Sequence, residues 1–327
     1  MIPTVSPVAY EAARHGAGLI ARTDLGRVVV SGADRASYLQ GLLTNDIVAL
    51  TAGRGCYAAY LTAQGRMIAD LHVYELGDVI LLTLHRDVKD AVLAKLDQFI
   101  FSEDVQLGDV TDSFDQIAVV GPDAARIVGP ILGVDADVLR PLPEHGNLRA
   151  GSTIVSRADD TGEPGFDIYT ESAATDDLQT RLLSAGGVDI DPSTADALRI
   201  EGGVPLFHRD MDEETIPLEA GIESRAISFT KGCYVGQEVV IRVLHRGHGR
   251  VARKLVGLTI SGDRVPAAKT PIRADDREVG EITSAAWSPG LRRPIALGYV
   301  HRDFTAPGTK VSVSGADAEV SALPFRA

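Results

Sequence analysis

The segment KGCYVGQE, residues 231–238, brings several side chains that can do chemistry into eight consecutive positions. A cysteine is nucleophilic only as a thiolate, and a nearby cation or a helix N-terminus lowers the pKa of a thiol. Lys231 lies two residues before Cys233, so we interpret this pair as a candidate reactive site. The alternative is that Cys233 is a small, semi-buried thiol in a turn. Cys56, at the start of a predicted strand, is expected to belong to the core.

Three acidic residues are further candidates. Asp70 follows the apolar run RMIA and precedes LHVYEL, so its side chain is expected to face the interior side of a sheet. A buried carboxylate needs a partner, and the amine or ring N–H of a ligand would be one. Glu201 precedes two glycines in LRIEGG, where the backbone can approach a ligand closely, and Glu219 is placed similarly in PLEAGIE. Each acid could instead be capped or paired in a salt bridge within the protein.

A stretch without acids runs from residue 239 to residue 261, in a chain whose formal net charge is −13. Its basic side chains are Arg242, Arg246, Arg250, Arg253 and Lys254. We interpret Arg246 and the loop around it as an anion site for carboxylates or phosphates. The alternative is a solvated face whose cations pair with acids elsewhere. His245 and His248 are not joined by a further Cys/His cluster, so no metal site is predicted.

Short β-like runs alternate with amphipathic helices over the first 250 residues. GRVVVSG (26–32) predicts a strand, and Asp34 then suits the N-cap of a helix. The stretch 55–84 has three apolar runs separated by AQGR and ELGD, which predicts an antiparallel meander. Residues 87–100 have helical apolar spacing, whereas GQEVVIRVLHRG (236–247) fits either a helix or a strand. Helices mixed with antiparallel hairpins predict an α+β fold.

From about residue 251 the sequence changes to short strands separated by Gly, Pro and Asp, without a convincing helix. This pattern predicts an all-β barrel or sandwich of about 75 residues. A softer boundary is expected at 136–152, a stretch rich in Pro, Gly and polar residues. We therefore expect three parts, 1–145, 146–250 and 251–327, of which the first two are α+β.

The composition argues against several classes of protein. A net charge of −13 disfavours binding to nucleic acid, because most of the surface would repel phosphates. No run approaches the ~18 uncharged apolar residues that span a bilayer, and the first residues lack the pattern of a secretory signal. Two cysteines far apart in sequence argue against a disulfide scaffold and fit a reducing cytoplasm. The motifs GxxxxGK, GxGxxG, HExxH and GxSxG are absent.

The octapeptide KGCYVGQE resembles the signature of the YgfZ proteins, which are folate-dependent accessory factors for iron–sulfur enzymes. The YgfZ proteins are in turn similar to the T-protein of the glycine cleavage system, an aminomethyltransferase. Segments that look shared with both groups cover almost the whole chain: YLQGLLTNDI (38–47), LTAQGRMIADLHVY (61–74), TGEPGFDIY (161–169), LRIEGGVPLFHRDMDEETIPLEAGIE (198–223) and ITSAAWSPGLRRPIALGYV (282–300). KGCYVGQE is the more specific segment, because it contains the cysteine and marks the YgfZ branch.

The resemblance implies a T-protein-like, ring-like arrangement of two α+β parts that form a folate-binding body, closed by a C-terminal β-barrel. It also implies tetrahydrofolate in the central cavity. Asp70 occupies the place of an aspartate beside the folate nitrogens, and Glu201 occupies the place of a glutamate that binds the pterin. We expect further folate contacts from four residues within and after the octapeptide: Tyr234, Gln237, Glu238 and Arg246.

One position departs from the transferase pattern. The T-proteins usually carry an aromatic residue before their TGE, whereas this chain has Asp160 in DDTGE. We therefore expect that pterin binding is kept and that the aminomethyl-transfer reaction is lost.

The resulting hypothesis is a cytoplasmic, monomeric accessory protein that binds tetrahydrofolate and supports assembly or repair of iron–sulfur clusters. Its predicted catalytic groups are Cys233, Lys231 and Asp70, and its predicted partners are folate and iron–sulfur client or assembly proteins. Neither nucleic acid nor a membrane is expected as a partner. The alternative is an aminomethyltransferase that transfers a one-carbon unit to tetrahydrofolate. A third hypothesis is a folate-dependent demethylating enzyme of the same superfamily, but no residue selects a methylated amine.

Overall fold

The computed structural model describes residues 5–245 and 250–325. Its first elements are α1 (Pro7–His15), β1 (Gly18–Ala21), β2 (Leu25–Ser31), α2 (Arg35–Leu42), β3 (Arg54–Leu61), β4 (Met67–Glu75), β5 (Ile80–His85), α3 (Arg86–Asp97) and β6 (Gln106–Asp109). Strands β3 to β5 form the antiparallel meander predicted for residues 55–84. Helix α2 follows Asp34 as predicted, although the Asp34 side chain accepts from the Asp104 backbone N–H instead of capping the helix.

The middle of the chain alternates in the same way. Its elements are β7 (Phe114–Val120), α4 (Ala124–Leu132), α5 (Ala136–Leu139), β8 (Asn147–Ala150), β9 (Thr153–Ala158), β10 (Gly165–Glu171), a 3₁₀ helix (Ser172–Ala174), α6 (Thr175–Ser184), β11 (Val188–Asp189), α7 (Pro192–Gly202), α8 (Pro217–Ala220), α9 (Glu223–Ala226) and α10 (Gln237–His245). The segment that fitted either a helix or a strand is therefore the helix α10. The expected boundary at 136–152 contains α5 and β8.

Two sheets are built from these strands. The five-stranded sheet is antiparallel, in the order β3-β4-β5-β2-β6. The six-stranded sheet has the order β11-β1-β7-β10-β9-β8, with β1 and β11 parallel. The expected division at residue 145 does not follow the sheets, because β1 and β7 precede it and yet belong to the six-stranded sheet. The cause is the long ladder between β7 and β10, which pairs seven residues of each strand.

Each sheet buries one face under helices. In the five-stranded sheet, Leu82 shares a buried cluster with Leu39 of α2 and Val92 of α3. In the six-stranded sheet, Ile168 shares another with Val128 of α4 and Leu182 of α6. Side chains alternate across a strand, so the opposite faces remain for other contacts. Those faces meet at a smaller cluster built from strands of both sheets: Tyr74, Leu81 and Tyr169, with Val29 and Ile154 packed against them.

The last part of the chain confirms the predicted barrel. Its strands are β12 (Arg253–Ile260), β13 (Pro271–Ala274), β14 (Arg277–Ser288), β15 (Arg293–His301), β16 (Lys310–Val313) and β17 (Ala316–Ser321), with a 3₁₀ helix (Arg302–Phe304) after β15. They close in the order β12-β15-β14-β13-β16-β17. The barrel packs on α7, where Ala197 and Ile200 share a buried cluster with Leu297. Among the described residues, no helix combines the length and apolarity needed to cross a bilayer.

Candidate functional site

Tyr57, Asp70 and His72 lie on one face of the β3–β4 ladder. Tyr57 is opposite His72, and Ala59 is opposite Asp70, so these side chains share a face of the sheet. Because Ala59 is small, the Tyr57 phenol reaches diagonally, and its Oη donates to Asp70 Oδ2 at 2.7 Å. The ring centroids of Tyr57 and His72 are 5.2 Å apart. The hairpin thus holds a carboxylate with one side-chain donor from the described residues, next to a phenol and an imidazole.

Burial sets the protonation of these three groups. It raises the pKa of Asp70, and the hydrogen bond from Tyr57 opposes that shift only in part. Burial also raises the pKa of the Tyr57 phenol, and the negative charge of Asp70 raises it further. The pKa of His72 is lowered to about 4, because burial disfavours the imidazolium more than the charge of Asp160 favours it. At neutral pH a neutral imidazole therefore stands beside a carboxyl group of raised proton affinity.

Asp160, the departure from the transferase pattern, lies beside this face. Its Oδ1 is 3.5 Å from His72 Nε2, and its Oδ2 accepts from Arg22 Nη1 at 3.1 Å. Arg22 also donates from Nε to Asp24 Oδ1 at 3.1 Å. Burial opposes ionisation of Asp160, but His72, which is protonated below its own pKa, and the Arg22 guanidinium outweigh burial and hold the pKa of Asp160 at about 2. A fixed negative charge therefore stands where the sequence pattern of the transferases has an aromatic ring.

A second carboxyl group, Asp167 on β10, is buried close to Asp160. Neither of its oxygens has a hydrogen-bond partner in residues 5–245 and 250–325. Burial, followed by the negative charge of Asp160, raises the pKa of Asp167 to about 7. The two neighbouring carboxyl groups therefore titrate far apart, as expected when like charges share a buried environment.

Arg225 on α9 covers the Tyr57 side of the face. Its guanidinium carbon is 5.5 Å from the centroid of the Tyr57 ring. Arg225 Nη2 donates to Glu144 Oε1 at 3.2 Å and to Asp159 Oδ1 at 3.1 Å. The Asn45 side-chain amide joins α9 to β3, since Nδ2 donates to the carbonyls of Tyr57 at 2.8 Å and Arg225 at 3.1 Å. These contacts fix the position of a cation against the edge of the Asp70 face.

Glu201, the second predicted folate ligand, is bound by the protein itself. Its Oε2 accepts from Tyr10 Oη at 2.9 Å and from Arg14 Nη2, and its Oε1 accepts from Ser288 Oγ. Arg14 also pairs with Glu163. Glu201 is 4% exposed, and its contacts join α7 to α1 and to the barrel strand β14. No hydrogen bond or ion pair of the described residues connects Glu201 with Asp70 or Tyr57, so the two predicted folate acids lie in separate clusters.

Lys231 fixes the position of a backbone segment and is not directed at a thiol. Its Nζ donates at 2.6 to 2.8 Å to three backbone carbonyls at the end of α2 and in the loop after it, those of Gln40, Leu43 and Asn45. Burial lowers the pKa of Lys231 to about 8, and the ionisable groups that oppose this shift are Asp46 and Cys56. The interaction expected between Lys231 and Cys233 is not observed, because the ammonium group is occupied by these carbonyls.

The rest of the octapeptide packs on the β3–β4 hairpin. Gly236 has φ +86°, and a Cβ there would lie 2.6 Å from the Thr62 carbonyl oxygen, so the close approach requires glycine. Tyr234 is buried, with its ring centroid 5.1 Å from Lys231 Nζ. The segment is therefore attached to the same hairpin that carries Asp70.

Cys233 differs from these neighbours because it is exposed. It lies in the loop between α9 and α10, and Gln237 and exposed Glu238 begin the helix after it. Cys56 is half-buried against the core of the five-stranded sheet, and burial raises its pKa to about 12. The two thiols therefore differ in access to solvent.

The basic stretch is only partly described. Arg246, the predicted anion ligand, and His248 lie outside the described residues. Arg253 donates from Nε to Glu219 Oε2 at 3.2 Å, so this cation is paired with an acid elsewhere in the chain. In residues 5–245 and 250–325, no group of three His, Cys, Asp or Glu side chains could hold a metal ion.

Several residues of the site were not anticipated from the sequence. Tyr57, His72 and Arg225 surround Asp70, and His145 stacks near His72 with ring centroids 5.0 Å apart. The alternation of side chains along β3 and β4 is a signal that could have identified Tyr57 and His72. No local pattern indicates Arg22, which reaches Asp160 across 138 residues.

Comparisons with protein families cover most of the chain. Residues 7–231 match the family described as the GCVT N-terminal domain. Residues 253–326 match the glycine cleavage T-protein C-terminal barrel domain. The second match coincides with the closed barrel, which extends from β12 at residue 253 to β17 at residue 321.

Individual relatives are similar over nearly their whole length. The chain is 32% identical over 321 residues to an aminomethyltransferase of Rubrobacter xylanophilus, covering 97% of this chain and 85% of that protein. It is 33% identical over 328 residues to an aminomethyltransferase of Streptomyces avermitilis, covering 96% and 87%. The crystal structure of the glycine cleavage system aminomethyltransferase T from Bartonella henselae superposes with a TM-score of 0.89 at 23% identity, covering 99% of this chain and 91% of that one. This structural likeness concerns the fold.

Proposed function

The chain belongs to the glycine cleavage T-protein family, and on that premise we propose that it is a folate-dependent one-carbon transferase of the aminomethyltransferase type. Aminomethyltransferases of this family use tetrahydrofolate as the one-carbon acceptor. The observation that carries the proposal is Asp70, a recessed carboxyl group that receives one side-chain hydrogen bond, from Tyr57.

The geometry around Asp70 suits an amine ligand. Tyr57 occupies Oδ2, which leaves Oδ1 to accept an N–H group of a reduced folate. The pKa of Asp70 is raised towards neutral pH, and a carboxyl group whose pKa lies nearer the working pH can more readily both take up and release a proton. In an aminomethyl transfer, two folate nitrogens bond to the transferred carbon and each loses a proton, while the C–N bond to ammonia and the C–S bond to the lipoyl carrier break. One proton goes to the departing ammonia and the other to the departing lipoyl thiolate. Asp70 is the group that we assign to this proton exchange.

The neighbours of Asp70 define the polarity of the pocket. His72 is neutral at pH 7 and can donate or accept one hydrogen bond without adding charge. Asp160 is ionised, so its negative charge attracts N–H donors such as those of an aminopterin ring and disfavours electron-rich groups of a ligand. Both properties fit a ligand that presents several N–H donors.

The test is a turnover assay with purified protein, tetrahydrofolate and an aminomethylated lipoyl carrier protein. We expect release of ammonia together with methylenetetrahydrofolate, and loss of both in Asp70→Asn. Asp97→Asn, which removes an exposed acid at the end of α3, serves as the matched control. Absence of turnover by the unmodified protein with an authentic carrier would exclude the transferase function.

A second function, the YgfZ-type role in assembly or repair of iron–sulfur clusters, is supported by one observation. Cys233 is exposed while Lys231 and Gly236 hold the segment around it on the protein. On this proposal, a strain with Cys233→Ala loses the activity of iron–sulfur enzymes although the purified variant still binds tetrahydrofolate. Normal iron–sulfur enzyme activity in this strain and in a deletion strain would reject the role.

A further inference from the structure

An internal cavity of about 140 Å³ lies between the two sheets, and none of the residues that line it belongs to the Asp70 face. Its walls come from both sheets and are mainly apolar, and they include Val29 and Leu81 on one side and Ile154, Phe114 and Tyr169 on the other. An apolar cavity of roughly 150 Å³ is large enough to hold one benzene molecule. The cavity therefore has room for a ligand with a single ring or a compact branched body.

Arg27 on β2 lines this cavity and is 2% exposed. Its Nη2 donates to the Thr111 carbonyl oxygen at 2.9 Å. Its Nε and Nη1 have no hydrogen-bond partner in the part of the chain that the structure describes, and no described carboxylate lies within ion-pair distance. Arginine is rarely buried without a partner, because the desolvation of its charge must be compensated. The cavity thus adjoins a cation that lacks an anion.

The electrostatics of Arg27 are consistent with a missing anion. Burial lowers the pKa of the guanidinium, which means that the protein interior disfavours its charge. The groups that oppose this shift are Asp115, Tyr169 and Asp109, and they act through space without a hydrogen bond to Arg27. Asp109 is already paired with Lys89. A carboxylate in the cavity would supply the compensation that these acids do not.

The lining of the cavity includes a partly exposed side chain on β8. Arg149 lines the cavity there, and its side chain is 43% exposed. It pairs with Asp78 at 2.6 Å on the surface. An anion that approaches β8 would meet one partly exposed arginine there and a second in the interior, in a protein whose surface is otherwise mostly acidic.

We propose that this cavity is a second ligand site, which binds a small monocarboxylate with a compact apolar body. The carboxylate binds Arg27, and the unpartnered Oη of Tyr169 offers a further donor. The apolar body lies between Val29, Leu81 and Ile154. Because the walls come from both sheets, a bound ligand joins the sheets and raises the melting temperature.

The experiment is a calorimetric titration of the full chain with benzoate and with benzamide, its neutral isostere. We expect benzoate to bind on the order of tenfold or more tightly than benzamide, because only benzoate places a negative charge against the Arg27 guanidinium. Benzoate should also raise the melting temperature in proportion to its saturation of the site. Equal affinities for the two compounds, or no binding of either, would overturn the proposal.

Two variants and one control locate the site. Arg27→Met should reduce the affinity for benzoate to that for benzamide, whereas Arg140→Met, at an exposed arginine directly after α5, should change neither. Val79→Phe places a ring in the cavity and should abolish binding of both compounds, which tests the site even if Arg27→Met does not fold. Unchanged benzoate affinity in Val79→Phe, or benzoate located beside Asp70 in a crystal, would contradict the assignment.

Discussion

Asp70 and Glu201 are two acids that the resemblance to the T-proteins assigns to the same ligand, yet the structure gives them different surroundings. Glu201 receives hydrogen bonds from Tyr10, Arg14 and Ser288, which occupy both of its oxygens. Asp70 receives one side-chain hydrogen bond, from Tyr57. A carboxylate offers about four lone-pair sites, so Asp70 retains capacity for a ligand and Glu201 retains little.

The difference is also energetic. The charge of Glu201 is compensated by an arginine and two hydroxyl groups, and its contacts join α7 to α1 and to the barrel. The charge of Asp70 is compensated less, and burial consequently raises its pKa. Glu201 therefore holds elements of the protein together, whereas Asp70 retains an acceptor oxygen for a partner.

The largest expected effect tests whether Glu201 has the structural role. Glu201→Ala should lower the free energy of unfolding by about 3 kcal/mol or more, because it leaves Arg14 and buried hydroxyl groups without their acceptor. Urea denaturation measures the change, and Glu11→Ala, at an exposed position on α1, is the control. A variant of normal stability that no longer binds tetrahydrofolate would place Glu201 with Asp70 as a ligand-binding acid.

Asp167 extends the comparison to a carboxyl group without a described donor. The folded-state pKa of Asp167 is about 7, whereas its ordinary value is 3.8. The folded state therefore loses stability as the pH rises from about 3.8 to about 7, because Asp167 ionises more readily in the unfolded chain. Asp167→Asn should therefore stabilise the protein by roughly 4 kcal/mol at pH 8 and by little near pH 4. Urea denaturation at both pH values measures this, with exposed Asp177→Asn as control. An equal effect at both pH values would contradict the assignment.

The ligand-binding role proposed for Asp70 is tested by Asp70→Asn. Loss of a charged acceptor should weaken tetrahydrofolate binding by about 10- to 100-fold, whereas the free energy of unfolding should change by less than about 1 kcal/mol. Fluorescence titration gives the affinity, and Asp97→Asn is again the control. If Asp70→Asn instead unfolds the protein and leaves the affinity unchanged, the roles of the two acids are reversed.

The smallest effect concerns the hydrogen bond between Tyr57 and Asp70. Tyr57→Phe removes a donor that stabilises the ionised carboxylate, so the pKa of Asp70 should rise further. The acidic limb of the pH–rate profile should shift to higher pH, and the affinity for tetrahydrofolate should fall by only about threefold to tenfold. A shift of that limb to lower pH would show that Tyr57 does not act on Asp70 in this way.

Much of the fold is predictable because it depends on local patterns. Helix α3 is predicted by its apolar spacing, and the β3–β5 meander is predicted by turns between apolar runs. The barrel is predicted by the change, near residue 251, to short strands separated by Gly, Pro and Asp. Which sheet β1 and β7 belong to could not be predicted, because they join the six-stranded sheet through pairing with distant strands. Pairing of this kind has no local signal.

The site was predictable to a smaller extent. Asp70 is identified by its position in an apolar run, but its contact with Tyr57 depends on the register of β3 and β4, which shifts between Tyr60 and Leu61. A shift of one residue moves side chains to the opposite face, and nothing in the sequence marks it. The contacts of Lys231 with carbonyls 186 to 191 residues earlier are likewise tertiary, so they could not be predicted from its neighbour Cys233.

The position of β1 has a consequence for synthesis on the ribosome. The strands of the five-stranded sheet all lie within residues 25–109, so this sheet can form as soon as that stretch has left the exit tunnel. Strand β1 emerges earlier, but its residue Gly18 pairs with Val120 on one side and with Val188 on the other. One edge of β1 therefore stays unpaired until β7 has been translated, and the other until β11 has been translated. Such edges invite pairing with other nascent chains. Translation thus completes the sheet that carries Asp70 before the sheet whose loop carries Asp160.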